Sequence, residues 1–450
     1  MRRLHRGTIL LFVLLMSVAM LFACSNEKPV LEDGQEPAVT EIPDDQDADL
    51  PSNDMAGTDD ADSSEGQEPD AQEPEGQGPK VQEGDTKEAS GQEDTSGQDV
   101  TSPQEATADM RDIPSVDLVK EIKIGWNLGN TMDATGDSGI ASETSWGNPF
   151  TTKEMIDTVK EAGFNTVRIP TTWEKHLGAA PEYKIDEAWL DRVQDIVDDA
   201  MENEMYVILN MHHEEWHFPS YENYESAKAI LTSVWAQIAD RFAGYNEHLI
   251  FEGMNEPRMK GTNFEWNGGN DEGRDVVNQL NAAFVETIRN SGGNNQLRHL
   301  MIPPYAASSD TRTWNAFIIP DDDKIIVSIH AYTPYNFALN KNGTVVWSMD
   351  NTNDTREIDN LMNNIYNNFV SKGYPVIIGE FGAMDKNNLD SRTAWSEYYI
   401  KKAAEKGIPC IWWDNGAFTG GGELFGLLNR TTKTWQHPDV VEALMKGLNQ

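Results

Sequence analysis

Tyr206-Val207-Ile208-Leu209-Asn210-Met211-His212-His213 is a short apolar run that ends in groups able to donate or accept hydrogen bonds. Seven other stretches read the same way. With this one, taken as Met205–Met211, they are Ile122–Leu128, Asn165–Pro170, His248–Met254, His299–Pro303, Lys324–His330, Tyr374–Glu380 and Ile408–Asp414. Such runs are strand-like, and most are separated by stretches with apolar side chains at helical spacing. Lys153–Ala162 carries Met155, Ile156 and Val159 on one face, and Trp189–Met201 carries Leu190, Val193, Ile196 and Val197. Eight strands alternating with helices predict the α/β class and a (β/α)8 TIM barrel, with a doubly wound open sheet as the alternative.

In a barrel of this kind, chemistry sits at the carboxyl ends of the strands. The expected ends are rich in polar and aromatic groups. The second lies near Arg168, and the third in Asn210-Met211-His212-His213. The fourth ends in Met254-Asn255-Glu256-Pro257, the sixth in His330-Ala331-Tyr332, the seventh in Gly379-Glu380-Phe381-Gly382 and the eighth in Trp412-Trp413-Asp414. A purely structural role would scatter such residues, whereas here they would converge on one mouth. Gly125-Trp126-Asn127-Leu128-Gly129-Asn130 lacks the third glycine and the helix placement of a dinucleotide site, so no cofactor is expected.

The rest of the 450-residue chain is organised around this region. Arg2, Arg3 and Arg6 precede an apolar run from Ile9 to Ala23, the pattern of a secretory signal over residues 1–23. Leu21-Phe22-Ala23-Cys24 resembles a lipobox, so Cys24 is the expected lipidation site and the protein is expected to be exported, to a membrane surface or beyond. An uncleaved anchor is the alternative. Residues 25–110 hold no aromatic residue and 26 acids against three lysines, too little apolar surface to fold. Residues 24–110 therefore read as a disordered acidic tether, and 111–450 as the catalytic barrel.

Of the net charge of −40, the leader contributes +3 and the tether −23, leaving −20 for the barrel. An acidic domain without a basic patch disfavours nucleic acid, whereas a neutral polymer remains acceptable. The second cysteine, Cys410, lies in Ile408-Pro409-Cys410-Ile411-Trp412-Trp413 and reads as a buried thiol. The core must then stand on packing alone.

Asn255-Glu256-Pro257 after the fourth run, with Glu380 closing the seventh, resembles glycoside hydrolase family 5. Gly125-Trp126-Asn127-Leu128-Gly129-Asn130-Thr131, Trp146-Gly147-Asn148-Pro149 and Val167-Arg168-Ile169-Pro170 resemble its endoglucanase and xyloglucanase branch. The resemblance spans essentially all of 111–450. It implies a retaining endo-β-1,4-glycanase acting on a β-linked polysaccharide, with Glu256 as acid/base and Glu380 as nucleophile. It also implies Arg168 beside Glu380, Tyr332 donating to the same carboxylate, and Asn255 at the sugar 2-hydroxyl. His212 and His330 are implied as further site residues, and Trp413 as the platform under the reacting sugar. Asn127, Trp146 and His213 complete the expected substrate contacts. One glutamate must carry a proton while the other is ionised, so their surroundings should push their pKa values apart.

His213-Glu214-Glu215-Trp216-His217 matches the zinc-protease pattern, but it follows directly on a strand-like run rather than lying on a helix. No metal is expected. Trp126, Trp146, Trp173, Trp216, Trp266 and Trp413 fall in or near the expected mouth, where ring faces could stack on sugars, while Trp235 and Trp395 read as core. A glycan-binding surface lipoprotein without catalysis, and a metal-dependent barrel hydrolase, are the alternatives. A monomer is expected.

Overall fold

The computed structural model describes residues 110–450. The expected signal peptide, Cys24 and the tether up to residue 109 lie outside the described residues. Each of the eight apolar runs corresponds to one strand, with β7 extending one residue past its run. These are β1 (Ile124–Leu128), β2 (Thr166–Ile169), β3 (Tyr206–Asn210), β4 (Leu249–Glu252), β5 (Leu300–Ile302), β6 (Ile325–His330), β7 (Val376–Phe381) and β8 (Cys410–Asp414). They pair in parallel in chain order, and β8 returns to β1 to close the barrel, which rules out the open sheet.

A helix follows each strand. They are α1 (Lys153–Glu161), α2 (Glu187–Glu202), α3 (Tyr224–Arg241), α4 (Asp271–Asn290), a single turn α5 (Thr311–Trp314), α6 (Thr352–Asn368), α7 (Leu389–Ala404) and α8 (Pro438–Leu448). Asp186, Asn270 and Asn351 start α2, α4 and α6 by accepting the backbone N–H of Trp189, Gly273 and Asn353. Among the described residues no helix is long and apolar enough to cross a membrane.

Strand alternation sorts the side chains into two cores. Val207, Leu209, Phe251, Val327 and Ile378 face outward and pack with helix residues such as Val193, Ile196 and Val234. Tyr206, Ile208, Ile250, Met301, Ile326, Ile377 and Ile411 fill the interior, joined by Leu118, Val119 and Ile122 from the segment before β1. Gly125 leaves room for this filling, since a Cβ there would lie 2.5 Å from Ile411 Cδ1. Cys410 is buried, and burial pushes its thiol well above the usual range.

Two residues further along five of the strands, the inward position is polar. Gly125 gives way to Asn127, Thr166 to Arg168, Ile208 to Asn210, Ile250 to Glu252 and Ile326 to Ser328. β7 breaks this count. Its register shifts against β6 at Ile329/His330 and against β8 between Ile378 and Phe381. Simple alternation would put Gly379 inside and Glu380 outside; the irregularity re-aims Glu380 toward the mouth. β4 and β7 are three strands apart around the ring of eight.

Several histidines are buried as neutral rings. Burial pulls His176 and His299 down to about 4 and His217 down to about 3, aided for the latter two by nearby cations. His176 stacks on Trp189 with ring centroids 3.8 Å apart. The unfolded chain takes up these protons near its ordinary pKa of 6.5, before the folded chain can. Stability should therefore fall as pH drops from about 6.5 toward 4 and level off once the folded rings protonate. Urea midpoints of the barrel at pH 7 and pH 4.5 should differ accordingly, and His176→Phe should narrow the gap; an unchanged gap would refute the assignment for that ring.

Candidate active site

Arg168 is the hub of the mouth. Its guanidinium is fully buried, and each N–H group shown bonded goes to a side-chain oxygen. Nε donates to Glu252 Oε2 at 2.7 Å, Nη1 to Asn127 Oδ1 at 2.9 Å and to Glu380 Oε1 at 2.8 Å, and Nη2 to Asn255 Oδ1 at 2.7 Å. Two buried carboxylates outweigh the cost of burying this cation and raise its pKa further. Glu380 is gripped on its other oxygen by Tyr332, whose hydroxyl donates to Oε2 at 2.9 Å. Burial and the charges of Glu380 and Glu256 push that phenol well above its usual range, so it stays a donor.

Glu256 has different neighbours. Its Oε1 lies 2.8 Å from His330 Nδ1, and Oε2 lies 3.4 Å from Arg258 Nη1. Burial works to raise this carboxyl, but the hydrogen bond and charge of His330, with Arg258 and Arg168, outweigh it and hold it below the ordinary value. His330 moves the opposite way. Burial would lower it, but Glu380 and Glu256 raise it above the ordinary value. The contacts thus favour the ionised form of Glu256 and the protonated form of His330 across one hydrogen bond. A Cβ at Gly379 would lie 3.2 Å from His330 Nε2, so this position keeps the ring's place clear.

Two expected substrate contacts lie too deep to reach a sugar. Asn127 is fully buried and gives its amide N–H groups to the carbonyls of Gly379, Ile411 and Trp412. It and Arg168 hold other site residues in place instead. Asn255 has its oxygen on Arg168, which leaves its amide nitrogen to face a ligand. His212, His213, Trp146 and Trp413 gather at the mouth. His212 and Trp413 lie parallel within 3° with centroids 5.7 Å apart, and Trp146 lies 5.6 Å from His213. Trp126 and Trp173, also expected at the mouth, belong to the core. Their indoles donate inward, to Asp414 Oδ2 and to the Asn210 carbonyl. Trp235 and Trp395 are core, as expected.

Glu252, Asn210 and Ser328 were not singled out by sequence. Glu252 is buried without exposure and also accepts from Ser328 Oγ at 2.5 Å and Asn210 Nδ2 at 3.1 Å. The available signal was an acid inside the run Leu249-Ile250-Phe251-Glu252, two residues after an inward isoleucine.

Two groups of described residues have ligand atoms close enough for a metal: Asp133 with His212 and His213, and Glu256 with His330 and Glu380. The first is opposed by its own hydrogen bonds. Asn210 Oδ1 accepts the Thr171 N–H at 3.0 Å, so its NH2 end points at His212 Nδ1, 3.1 Å away. Nδ1 must then accept and Nε2 carries the hydrogen, the wrong tautomer for metal binding through Nε2. Burial and nearby cations hold the ring neutral. The zinc-protease pattern also fails to form. Glu215–His217 is one 3₁₀ turn, and Glu214 is buried, accepting from the N–H groups of Trp173 and Glu174 and the Trp216 indole. Burial pushes its carboxyl up to about 8.

A closed parallel barrel with two carboxylates at its carboxyl end, one clamped and one sharing a proton, defines a hydrolase built on paired glutamates. Residues 132–419 match the cellulase family, glycosyl hydrolase family 5, and the chain belongs to that family. It is 54% identical over 347 residues to endoglucanase B of Neocallimastix patriciarum, covering 75% of this chain and 73% of the relative. With endoglucanase A of Ruminococcus albus it shares 48% over 346 residues, 76% of this chain and 94% of the relative. Among solved structures it resembles a GH5-4 broad specificity endoglucanase from Ruminococcus champanellensis with bound cellotriose. That match has a TM-score of 0.74 and 53% identity, over 75% of this chain and all of that one. A GH5 family lichenase from Caldicellulosiruptor sp. F32 matches with a TM-score of 0.72 and 45% identity, over 77% of this chain and 98% of that one. The chain is thus a glycoside hydrolase.

Because Glu252 fixes Arg168 from below, Glu252→Gln should lower kcat by about 10²-fold through misplacement of Glu380, without contacting substrate. KM should change little. Steady-state kinetics beside a crystal structure of the variant would check this; wild-type kcat would show that the clamp is unnecessary.

Proposed function

We propose that this chain is a retaining endo-β-1,4-glucanase that cuts inside cellulose-like glucan, with xyloglucan, mixed-linkage glucan and xylan as further polymers. One observation carries the mechanism. A carboxylate oxygen of Glu256 and one of Glu380 lie within 4.8 Å of each other, with His330 Nδ1 2.8 Å from the first residue and 3.6 Å from the second. Retaining enzymes place their carboxyls about 5–5.5 Å apart, whereas inverting ones leave roughly 6.5–9.5 Å for water. The endoglucanase and lichenase names of the relatives favour β-glucan as the polymer.

The steps follow from the contacts. Arg168 and Tyr332 aim the Glu380 carboxylate at the anomeric carbon. As that bond forms, the bond to the departing oxygen breaks, and Glu256 gives that oxygen a proton. The proton reaches Glu256 from His330 across their 2.8 Å hydrogen bond. Arrival of the leaving group, which excludes water, favours the neutral carboxyl. Water then attacks the glycosyl-enzyme while Glu256 takes its proton. Asn255, through its free amide N–H groups, is positioned for the sugar 2-hydroxyl. His212 Nε2–H is a donor for another hydroxyl, and Trp413 beside it offers a flat apolar face.

Export, lipidation at Cys24 and the acidic tether belong to the same proposal, supported by the Arg2/Arg3/Arg6 leader, the apolar run and the composition of residues 25–110. Cys24→Ala should remove the protein from the membrane fraction or block its processing. Unchanged membrane association with unchanged mass would instead favour an uncleaved anchor.

Proton NMR of a soluble glucan digest tests the mechanism: the β anomer should appear first, and an α product first would sink the assignment. Glu380→Gln should fold normally and lose nearly all activity. Glu256→Ala should lose most activity on polymer and regain part of it with azide, which attacks without a general base.

A further inference from the structure

The loop between β4 and α4 begins just after Glu256 and Pro257, and nothing in the mechanism above uses it. Its centre is Arg258. Nε donates to Glu265 Oε1 at 3.0 Å, and Nη1 lies 3.3 Å from the Glu256 carbonyl and 3.4 Å from Glu256 Oε2. The guanidinium lies over the ring of Trp266, 4.3 Å from its centroid. The loop is itself braced. Glu265 Oε2 accepts the Gly261 N–H at 2.7 Å. Tyr305 accepts from the Met259 N–H at 2.8 Å and donates to the Phe264 carbonyl at 3.0 Å. Arg258 is thus held by a salt bridge on its edge and an indole on its face, an arrangement that costs little further side-chain freedom.

The two oxygens of Glu256 look in different directions. Oε1 meets His330, whose Nδ1 is also 3.6 Å from Glu380, so that side faces the nucleophile. Oε2 meets Arg258, on the side away from His330. We propose that Arg258, braced by Glu265 and Trp266, is a positioning residue that orients Glu256 from the side away from His330 and sets the alkaline limit of catalysis. This rests on the reading of Glu256 as acid/base and deepens it.

The charges facing Glu256 come from several elements: His330 and Tyr332 from the end of β6, Arg168 from β2, Glu380 from β7 and neutral His212 from the end of β3. Arg258 supplies the cation on the loop side. It helps hold the carboxyl below its ordinary value, and Glu265 partly offsets it. Removing the Arg258 charge raises the proton affinity of the Glu256–His330 pair, whereas removing the Glu265 charge lowers it. Trp266 keeps 38% of its surface exposed, so it can brace Arg258 on one face while the other meets solvent or a sugar of the departing chain.

The test is the pH dependence of kcat/KM on a soluble β-glucan for the intact enzyme, with folding of each variant checked by circular dichroism. The alkaline limb of Arg258→Gln should move up by about one pH unit. That of Glu265→Gln should move down. Arg258→Lys should restore the limb while kcat stays low, because an ammonium cannot make the same fork and stack. An aryl cellobioside whose leaving group needs no proton should lose far less rate than polymer in Arg258→Gln. A well-folded Arg258→Gln that loses activity with its limb unmoved overturns the proposal, as do Arg258→Gln and Glu265→Gln limbs that shift in one direction. An α product first from the wild-type enzyme overturns the two-glutamate reading itself, independently of either variant.

Discussion

A single buried cation organises the catalytic end of this barrel. Arg168 joins Asn127 of β1, Glu252 of β4, Asn255 beyond β4 and Glu380 of β7 through one planar group. Burying a guanidinium costs several kcal/mol unless carboxylates and hydrogen bonds compensate it. Glu252 supplies the compensation from within, and Ser328 and Asn210 complete Glu252 in turn. The net stability gained from such a cluster is small. What it provides is a Glu380 carboxylate whose orientation is settled before substrate arrives, as the proposed nucleophile requires.

The same chain of contacts makes the two working glutamates unlike. Glu380 sits on a strand and is held by Arg168 and Tyr332. Glu256 sits past the end of β4, shares its proton with His330 and touches a loop. A group that only attacks benefits from rigidity. A group that must hand over a proton and later take one back benefits from a partner that can hold it meanwhile. Asn210 serves both halves, since it supports Glu252 and fixes the hydrogen of His212 on Nε2.

The barrel was legible because all eight strands are short apolar runs closed by polar groups, and long amphipathic segments lie between most of them. The one-turn α5 and the small hairpin of Leu428–Asn429 with Thr434–Trp435 were not legible. Elements that short leave no periodicity to read. At the site, the identity of the polar residues was visible but their depth was not. Asn127 and Arg168 look like sugar ligands in a list of strand ends, yet both are covered completely. Trp126 and Trp173 failed for the same reason. The opposite pulls on Glu256 and His330 were equally hidden, since they depend on the 2.8 Å approach of two residues 74 positions apart. Glu252 went unread because an acid closing an apolar strand resembles any other polar terminus.

The inward face of the strands carries apolar filling and then polar apparatus, with one two-residue step between them. A single residue added between the two layers would flip one against the other, as the irregularity in β7 does for Glu380. The loops at the mouth face no such constraint, since lengthening a surface loop costs little. The Arg168 clamp is thus tied to strand register, whereas the loops around it are free to vary in length. Within this architecture, variation of the loops and preservation of the clamp do not compete for the same residues.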